Sequence, residues 1–471
     1  QMRKVSSIIA ATALMISVSA ASFAAAPAKK PAKKAAVKEW TFAVFLNADN
    51  NLDEFGVEDQ EEMSRIGSNE NLNIVTLIDR ERGPAQINYI EKGKIKKIKD
   101  MGELDMGDYK ELVKFCKFIK ENYPAKHYMI GIWNHGSGWK AKTDKNVVRG
   151  VSYDDSSNNH ITTNELTTAT KLCSEALGQK IDVINMDCCL MGMVEVAYAI
   201  KDHCNYFVGS EEVEAGKGTP YDDVLKGLKP GMAPKDFANH WVNAYAKSYQ
   251  GGSQGRDDST QSAIDLSKVD ALVDALNGFA KAIMSGNYAD KISPAVGKTV
   301  KFEYPENIDL LHFLKNFKPL VEGDSAVTTA IAKVETAAKA AIINSKTTGR
   351  SASNNRYKNC EGIAIYLPQR FTYESKYSEL GFSKNGMWDD MILTLRSQRD
   401  VKEAIDGACK GDFKGLKSAI SEAKKNPRSQ YARMLVRELN YVAYTEKKIP
   451  AKNQEEFDRL FKNLKSAMQA R

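Results

Sequence analysis

The fold is decided by a stretch that is typical of a buried strand ending in a turn, Ile181-Asp182-Val183-Ile184-Asn185-Met186-Asp187-Cys188-Cys189-Leu190-Met191-Gly192. A similar stretch lies upstream, Tyr128-Met129-Ile130-Gly131-Ile132-Trp133-Asn134-His135-Gly136-Ser137-Gly138-Trp139. Apolar runs of strand length alternate with amphipathic segments of helix length through the first half of the chain. This alternation predicts an α/β fold, in which helices cover both faces of a mostly parallel sheet. Functional groups in such sheets gather beyond the carboxyl ends of the strands.

Further elements extend outward from this centre. Asp108 with Glu111, and Thr162 with Glu165, resemble capping boxes at the starts of helices. From about Asp265 the pattern changes to long helical segments, and a late apolar run at 362–368 predicts a strand that returns to the first sheet. The other predicted strands are 40–46, 72–78, 128–133, 181–186 and 206–209, and the long helical segments include 266–283 and 327–343.

The beginning of the sequence has the composition of an export signal. Basic residues Arg3 and Lys4 precede an apolar stretch at about 8–18 and a run of small residues at 20–24. We therefore expect a signal peptide at 1–24 and a secreted or periplasmic protein. No later segment offers the roughly 20 uninterrupted apolar residues of a transmembrane helix, so we expect no integral membrane segment in the mature chain.

The basic balance of the chain does not indicate a nucleic-acid partner. The formal charge is +7, but residues 1–39 carry seven of the basic side chains, which leaves 60 basic against 59 acidic side chains in the remainder. Without that excess, binding to nucleic acid or to a membrane surface loses its main support. The seven cysteines are odd in number and scattered, so they do not suggest a disulfide framework, and no spacing typical of a zinc site is present.

The two strand ends bring together residues that fit nucleophilic catalysis. His135 and Cys189 each lie where a predicted strand ends, 54 residues apart. Adjacent parallel strands would place both at one edge of the sheet, which is the arrangement for a Cys-His pair. A helix predicted directly after Cys189 would lower the pKa of its thiol. Taken alone, each residue also fits a structural role: a histidine at a strand end, or small apolar cysteines closing a strand.

The strings 134–139 and 187–193 resemble the histidine and cysteine motifs of the clostripain family, relatives of gingipain, legumain and the caspases. Further similarity covers 46–52, 209–212, 218–222 and 362–368, in order from about Trp40 to Leu395. The resemblance implies a caspase-like α/β/α sandwich and a cysteine peptidase. It also implies that Cys189 is the nucleophile rather than Cys188, which stands where the family usually has alanine.

We expect five segments along the chain, and the resemblance covers those between about Trp40 and Leu395. These are a signal peptide (1–24), a Lys/Pro/Ala-rich linker (25–39), a caspase-like catalytic domain (40–264), a helical region with a strand returning to that domain (265–398), and a Lys-rich helical C-terminal extension (399–471). We expect the last segment to be a solvated helical hairpin.

The resemblance also implies roles for the site residues. Cys189 attacks the scissile carbonyl, His135 transfers the protons, and the N–H groups of Gly136 and Cys189 form the oxyanion hole. Asp187 matches the position that meets a basic P1 side chain, so substrates are proteins or peptides with Arg or Lys at P1. Asp187 also fits a helix cap. Glu211 and Glu212 either line the same pocket or form a surface acidic pair.

Three further expectations stay open. The polar segment 140–150 is expected to be cut by the enzyme itself, at Arg149 or alternatively at Lys145 or Lys142. No cofactor is required by the sequence, and calcium is left undecided, because 154–159 is oxygen-rich but also fits an ordinary polar turn. The rival functions are a non-catalytic exported binding homologue and a cell-wall transpeptidase or amidase.

Overall fold

The computed structural model describes residues 36–139, 150–351, 353–445 and 448–469. The strands of these residues are β1 (Lys38–Ala48), β2 (Leu72–Arg80), β3 (Ala85–Glu91), β4 (Lys94–Gly102), β5 (Ala125–Trp133), β6 (Gly150–Asp154), β7 (Asn159–Thr162), β8 (Ile181–Asp187), β9 (Cys204–Gly209), β10 (Gln250–Gly252), β11 (Gly255–Arg256), β12 (Ser259–Asp265), β13 (Asn307–Asp309), β14 (Ile342–Thr348) and β15 (Ala364–Tyr366).

The α-helices are α1 (Asp53–Ile66), α2 (Tyr109–Asn122), α3 (Thr163–Leu177), α4 (Val194–Ile200), α5 (Tyr221–Gly227), α6 (Pro234–Tyr249), α7 (Val269–Met284), α8 (Ala289–Lys298), α9 (Leu310–Phe317), α10 (Ser325–Ala341), α11 (Gly381–Lys384), α12 (Trp388–Cys409), α13 (Lys414–Lys425), α14 (Gln430–Asn440) and α15 (Ala451–Gln469).

Within the described residues, nine strands form the main sheet in the order β14-β12-β9-β8-β5-β1-β2-β3-β4. The central strands β9, β8, β5, β1 and β2 run parallel, whereas β12, β14, β3 and β4 add antiparallel edges. The expected α/β sandwich with a mostly parallel central sheet is confirmed. Its carboxyl edge is formed by the ends of β1, β5 and β8.

Both faces of the central strands are buried, which explains their uninterrupted apolar sequences. Along β1, Phe42 and Val44 join one apolar cluster, while Ala43 and Phe45 join the other. The alternation follows from the two-residue period of a strand. Helices α5 and α6 contribute to the first cluster, and α2, α3 and α7 contribute to the second.

The two predicted helix starts differ in their capping. Thr162 and Glu165 form a complete capping box, in which each side chain bonds the other residue's backbone N–H. Asp108 caps α2 by accepting from the backbone N–H of Lys110. Glu111 instead lies 2.6 Å from the ammonium of Lys114.

The returning strand comes from a different segment than expected. The run at 362–368 contributes β15, which pairs with β13 in a separate two-stranded sheet. The strand that joins the main sheet is β14, which pairs antiparallel with β12. The helix expected at 327–343 therefore ends at Ala341, and Ile342 begins β14. The segment boundaries taken from the sequence remain predictions.

The C-terminal residues form more than a solvated hairpin. The second half of α12 packs with α13, α14 and α15 around an apolar core that is separate from the two sheet-flanking clusters. Leu416, Leu435 and Leu464 are fully buried in this core. The lysines that dominate the composition lie on the outer faces, which is why the sequence suggested a solvated element. Among the described residues, no helix combines the length and apolar character needed to cross a membrane.

Candidate active site

The two strand ends singled out by the sequence lie side by side. Strands β5 and β8 pair in parallel with Trp133 opposite Asp187. The backbone N–H of Asn134 donates to the carbonyl of Asp187 at 3.3 Å, so contact continues just past the strands. His135 and Cys189 each follow this paired position by two residues. The structure thus brings both to the same edge of the sheet, as the sequence predicts.

Gly136 lies directly against the backbone of the cysteine turn. A Cβ atom added at Gly136 would meet the carbonyl oxygen of Cys189 at 2.6 Å and the Cβ of Cys188 at 2.8 Å. Real Cβ atoms do not approach other heavy atoms this closely, so only glycine fits at this contact. The close approach also sets the backbones of Gly136 and Cys189 next to each other.

The neighbouring cysteines face different environments. Cys188 is 1% exposed and its Sγ donates to the carbonyl of Ile132 at 3.1 Å, within the core. Cys189 is partly exposed and lines a cavity together with His135. Leu190 follows with a φ of 66°, a left-handed conformation that turns the chain sharply after Cys189. Only the second thiol is therefore presented to the cavity.

The predicted helix-dipole effect on Cys189 is wrong. Helix α4 begins at Val194, so Cys189 lies outside its first turn, where the dipole acts. Burial raises the pKa of Cys189 to about 11, and the carboxylates of Glu214, Glu212 and Asp187 add to this rise. The thiolate must therefore form by proton transfer to a neighbouring base rather than by a lowered pKa.

The imidazole of His135 is oriented by an asparagine that the sequence reasoning did not assign. Its Nε2 lies 2.7 Å from Oδ1 of Asn51, on the loop that follows β1. An amide oxygen accepts, so the tautomer that carries its proton on Nε2 makes this bond and leaves Nδ1 as the basic nitrogen. Asn134 links the ends of β1 and β6 by donating to the carbonyl of Asn47 at 2.7 Å and to that of Tyr153 at 2.8 Å.

The cavity beside Cys189 has a volume of about 230 Å³. Its walls come from the ends of β5 and β8, the start of α1 and the loop after β9. The lining residues are Leu52, Phe55, Asp59, Trp133, Asn134, His135, Asp187, Cys189, Val213, Glu214, Ala215, Gly216, Lys217 and Gly218. Lys217 is exposed, whereas the acidic residues are buried or partly buried.

Asp187 forms part of this cavity wall and is 5% exposed. Its Oδ2 accepts from the hydroxyl of Tyr221 at 2.9 Å and from the backbone N–H of Thr219 at 3.3 Å. Burial raises the pKa of Asp187 to about 6, although these donors oppose the rise. Asp187 caps no helix, because α4 begins seven residues later at Val194.

Two further carboxylates, which no sequence pattern indicates, line the cavity. Asp59, on α1, accepts from the indole Nε1 of Trp133 at 2.7 Å. Glu214 accepts from the hydroxyl of Tyr245. Burial raises the pKa of both well above the usual range, and Asp187 raises both further. The cavity therefore gathers carboxyl groups that hold their protons when it is empty and that a basic ligand would draw into the ionised form.

Glu211 does not lie in this cavity, so its expected place beside Asp187 is wrong. Its side chain is 1% exposed and clusters with Asp309 and Cys360. Glu212 is also buried away from the cavity, and its carboxylate accepts from the hydroxyl of Tyr357 at 2.8 Å. Glu211 and Glu212 are both buried, so they do not form an acidic pair on the surface. Glu214, on the loop after β9, is the acid of this segment that lines the cavity.

The expected cleavage sites Arg149, Lys145 and Lys142 lie outside the described residues. The residues that flank this segment are described, and they meet at the site. The backbone N–H of Ser137 donates to the carbonyl of Gly150 at 3.1 Å, and Gly136 forms an antiparallel bridge with Val151. The described residues on either side of this segment therefore meet beside the backbone that touches Cys189.

The oxygen-rich stretch 154–159 forms the turn between β6 and β7, and its first residue is buried. Asp154 accepts from the backbone N–H groups of Met106 at 2.9 Å and Ser157 at 2.8 Å. Burial is the largest cause that raises the pKa of Asp79 to about 7, and Asp154 and the buried Asp49 add to the rise. Burial and Asp49 also raise the pKa of Asp154. Among the described residues, Oδ2 of Asp79 has no hydrogen-bond partner. These carboxylates have the chemistry that a hard cation requires.

The chain is similar to known proteins along most of its length. A family model described as the clostripain family matches residues 44–396. Clostripain from Hathewaya histolytica is 25% identical over 329 residues, covering 59% of this chain and 61% of its own length. The chain thus spans less than two thirds of that curated relative.

Solved structures share the fold. A secreted C11 cysteine protease from Bacteroides thetaiotaomicron, in complex with an irreversible peptide inhibitor, has a TM-score of 0.57 at 20% identity, covering 75% of this chain and 99% of its own. An inactive zymogen C11 protease from Parabacteroides distasonis has a TM-score of 0.57 at 18% identity, covering 74% of this chain and 98% of its own.

Proposed function

The chain belongs to the clostripain family, and we propose that it is a cysteine endopeptidase that cuts peptide bonds after arginine or lysine. The observation that carries this proposal is a single cavity that contains the Cys189 thiol, the His135 imidazole and three carboxylates. A nucleophile and a base alone would fit many thiol enzymes. The acidic wall beside them fits a basic side chain.

The proposed mechanism begins with proton transfer from the Cys189 thiol to the imidazole of His135. The thiolate attacks the scissile carbonyl and forms a C–S bond, while the N–H groups of Gly136 and Cys189 stabilise the oxyanion. As the C–N bond breaks, His135 gives its proton to the leaving amine. His135 then takes a proton from water, and the hydroxide attacks the thioester carbon. The C–S bond breaks, the carboxylic acid product leaves, and His135 returns its proton to the Cys189 sulfur.

The P1 side chain is proposed to enter the acidic cavity. The carboxylate of Asp187 would meet the guanidinium of arginine as a bidentate pair or the ammonium of lysine as a point charge. Asp59 and Glu214 add carboxyl groups to the same wall, and a bound cation would favour their ionised form. An acidic P1 side chain would face repulsion there, and a neutral one would leave buried carboxylates unpaired.

We also propose that the enzyme matures by cutting itself within residues 140–149, at Arg149 or alternatively at Lys145 or Lys142. The proximity of Ser137 to Gly150 supports this, because both ends of the segment lie beside the proposed nucleophile. A zymogen is known among the solved structures that share the fold. The Cys189→Ala protein should remain one chain during storage, while the unmodified protein should separate into two fragments; an active single chain would refute self-processing.

Export and calcium binding complete the proposal. The composition of residues 1–24 supports a signal peptide, and a secreted protease is among the structures that share the fold.

Asp49, Asp79 and Asp154 would hold Ca²⁺, which would neutralise their charge and fix the loop that carries Asn51. A Ca²⁺-dependent rise in Tm that Asp79→Asn abolishes would support this site, and an unchanged Tm would refute it.

Fluorogenic peptides with Arg, Lys, Asp or Ala at P1 test the proposal against its rivals. The proposal predicts release of the reporter after Arg or Lys, and none after Asp. A non-catalytic binding homologue would release none of the reporters. A transpeptidase would give products joined to an added amine, which mass spectrometry would detect, and either result would contradict the proposed hydrolase.

A further inference from the structure

A cluster of three buried side chains lies outside the cavity that contains Cys189. Glu211, Asp309 and Cys360 each offer one ligand atom, and these atoms all lie within 4.8 Å of one another. Glu211 follows β9, Asp309 ends β13, and Cys360 precedes β15. We call these three residues the acid-thiol cluster. Segments far apart in sequence therefore converge on one buried point.

Glu211 is the residue of the cluster whose polar atoms are left unsatisfied. It is 1% exposed, and within the described part of the chain neither of its carboxylate oxygens makes a hydrogen bond of good geometry, although the Asp309 carboxyl and the Gly362 backbone N–H lie near it. Asp309 differs, since its oxygens accept from the backbone N–H groups of His312 and Glu361, both at 2.6 Å. A buried carboxyl group without donors is costly, so a native protein ordinarily satisfies it with a ligand or a proton.

The surroundings of the cluster are acidic. Burial and Asp309 raise the pKa of Glu211 well above its usual range. Burial, Glu211 and Asp309 likewise raise the pKa of the Cys360 thiol. Glu212 adds to both effects. A cation small enough to fit among the three converging ligand atoms would supply the positive charge that these surroundings lack.

We propose that Glu211, Asp309 and Cys360 bind one divalent transition-metal cation of the zinc type. A thiolate beside carboxylates favours such a cation over calcium or magnesium, which take oxygen ligands alone. Because Cys360 must lose its proton to act as a ligand, binding releases protons and weakens as the pH falls. The ligands are buried, which fits a structural site.

The cluster is joined to the nucleophile turn through the backbone. The N–H of Leu190 donates to the carbonyl of Glu212 at 3.0 Å, and the N–H of Gly192 donates to that of Ser210 at 2.7 Å. The carbonyl of Gly192 in turn accepts from Ala364 of β15 at 2.9 Å. A cation in the cluster would therefore fasten the segment behind Cys189 to the β13 and β15 pair.

The test uses the full chain carrying Cys189→Ala, which removes the thiol of the cavity. After dialysis against a chelator, the protein is titrated with Co²⁺ while absorbance and Tm are followed. We expect about one Co²⁺ per chain, a thiolate-to-cobalt absorption band, its displacement by Zn²⁺ and a rise in Tm. Cys360→Ser should lose the band, and the control Cys409→Ser should keep it.

Glu211→Gln keeps the proposal testable if Cys360→Ser does not fold. It resembles the protonated carboxyl group in shape, so the metal-free protein should keep its Tm while its Co²⁺ affinity falls at least about tenfold. The proposal is overturned if the parent protein shows no thiolate band, or if Glu211→Gln binds Co²⁺ as tightly as the parent. If the parent protein binds no Co²⁺ and its Tm is the same with and without added metal, the proposal is wrong and Glu211 and Asp309 share a proton instead.

Discussion

Asn51 hydrogen-bonds the imidazole of His135 from an exposed position on the loop after β1. Asn51→Ala should therefore lower kcat by about 10- to 100-fold with little change in KM or Tm, because the imidazole loses its preferred orientation. Asn51→Asp retains an acceptor oxygen and should recover part of the activity with a shifted pH profile. Peptide hydrolysis measured from pH 5 to 9 checks this, with the exposed Asn122→Ala as control. Unchanged kcat in Asn51→Ala would contradict the role.

Asp187 should make stability depend on pH in an unusual direction. Its pKa is raised to about 6 in the folded chain, above the value near 3.9 of an unfolded chain. The stability that its protonation contributes is thus present below about pH 4 and lost as the pH rises through about 6.

Asp187→Asn should therefore raise the free energy of unfolding above pH 6, by up to about 3 kcal/mol, and leave it unchanged near pH 4. The same variant should lose cleavage after Arg and Lys by about 100-fold or more. Urea unfolding at pH 4, 6 and 8 measures the first effect, with the exposed Asp406→Asn as control. A stability difference independent of pH would count against a buried, uncompensated carboxyl group at Asp187.

The contact between the ends of β5 and β8 depends on the absence of a side chain at Gly136. In Gly136→Ala the added methyl would lie 2.6 Å from the carbonyl oxygen of Cys189. The turn must move to accept it, so we expect kcat/KM to fall by about 100-fold or more while the chain still folds.

Gly278→Ala supplies the matched control, because nothing lies within 4 Å of a Cβ atom added there, in the middle of α7. It should keep full activity and gain up to about 1 kcal/mol in stability. Steady-state kinetics measure the change in kcat/KM of both variants, and the Tm measures their change in stability. Full activity in Gly136→Ala would show that the backbones of Gly136 and Cys189 lie further apart than the structure indicates.

Elements buried on both faces could be predicted from the sequence, and partly exposed ones could not. Strands β5 and β8 carry uninterrupted apolar runs, because helices cover them on both sides. Strand β4 alternates lysine with isoleucine, and Ile95 and Ile98 are 37% and 39% exposed, so its sequence resembles a loop. The returning strand was misassigned for a related reason, because β14 is only partly buried and polar, whereas β15 is short and apolar.

The site could be predicted where its residues follow strand ends, since topology brings those ends together. His135, Cys189 and Asp187 meet this condition. Asp59 reaches the cavity from α1, and no local sequence pattern indicates that it lies there. Glu211 and Glu214 stand three positions apart on one loop, and chain order cannot tell which of the two faces the cavity. The path of the backbone after β9 decides this.

At the scale of the whole molecule, the residues beyond the family match have a core of their own. The match ends at residue 396, and the apolar core of the C-terminal helices begins at Val401. Leu435→Ala should therefore destabilise these helices by about 2–5 kcal/mol and leave kcat/KM for small peptides within about twofold. Thermal unfolding and hydrolysis measured side by side check this, with the exposed Arg433→Ala on the same helix as control. Activity lost together with the C-terminal helices would show that the site depends on them.

The whole account depends on one thiol acting beside one acidic cavity. The most direct test is to treat the protein with a peptide chloromethyl ketone that carries Arg at P1, and to locate the label by peptide mass spectrometry. The account predicts one label per chain on Cys189, no label in Cys189→Ala or His135→Ala, full labelling in Cys188→Ala, and little labelling by the matching Asp reagent. A label on Cys188, or equal labelling by the Asp reagent, would contradict it.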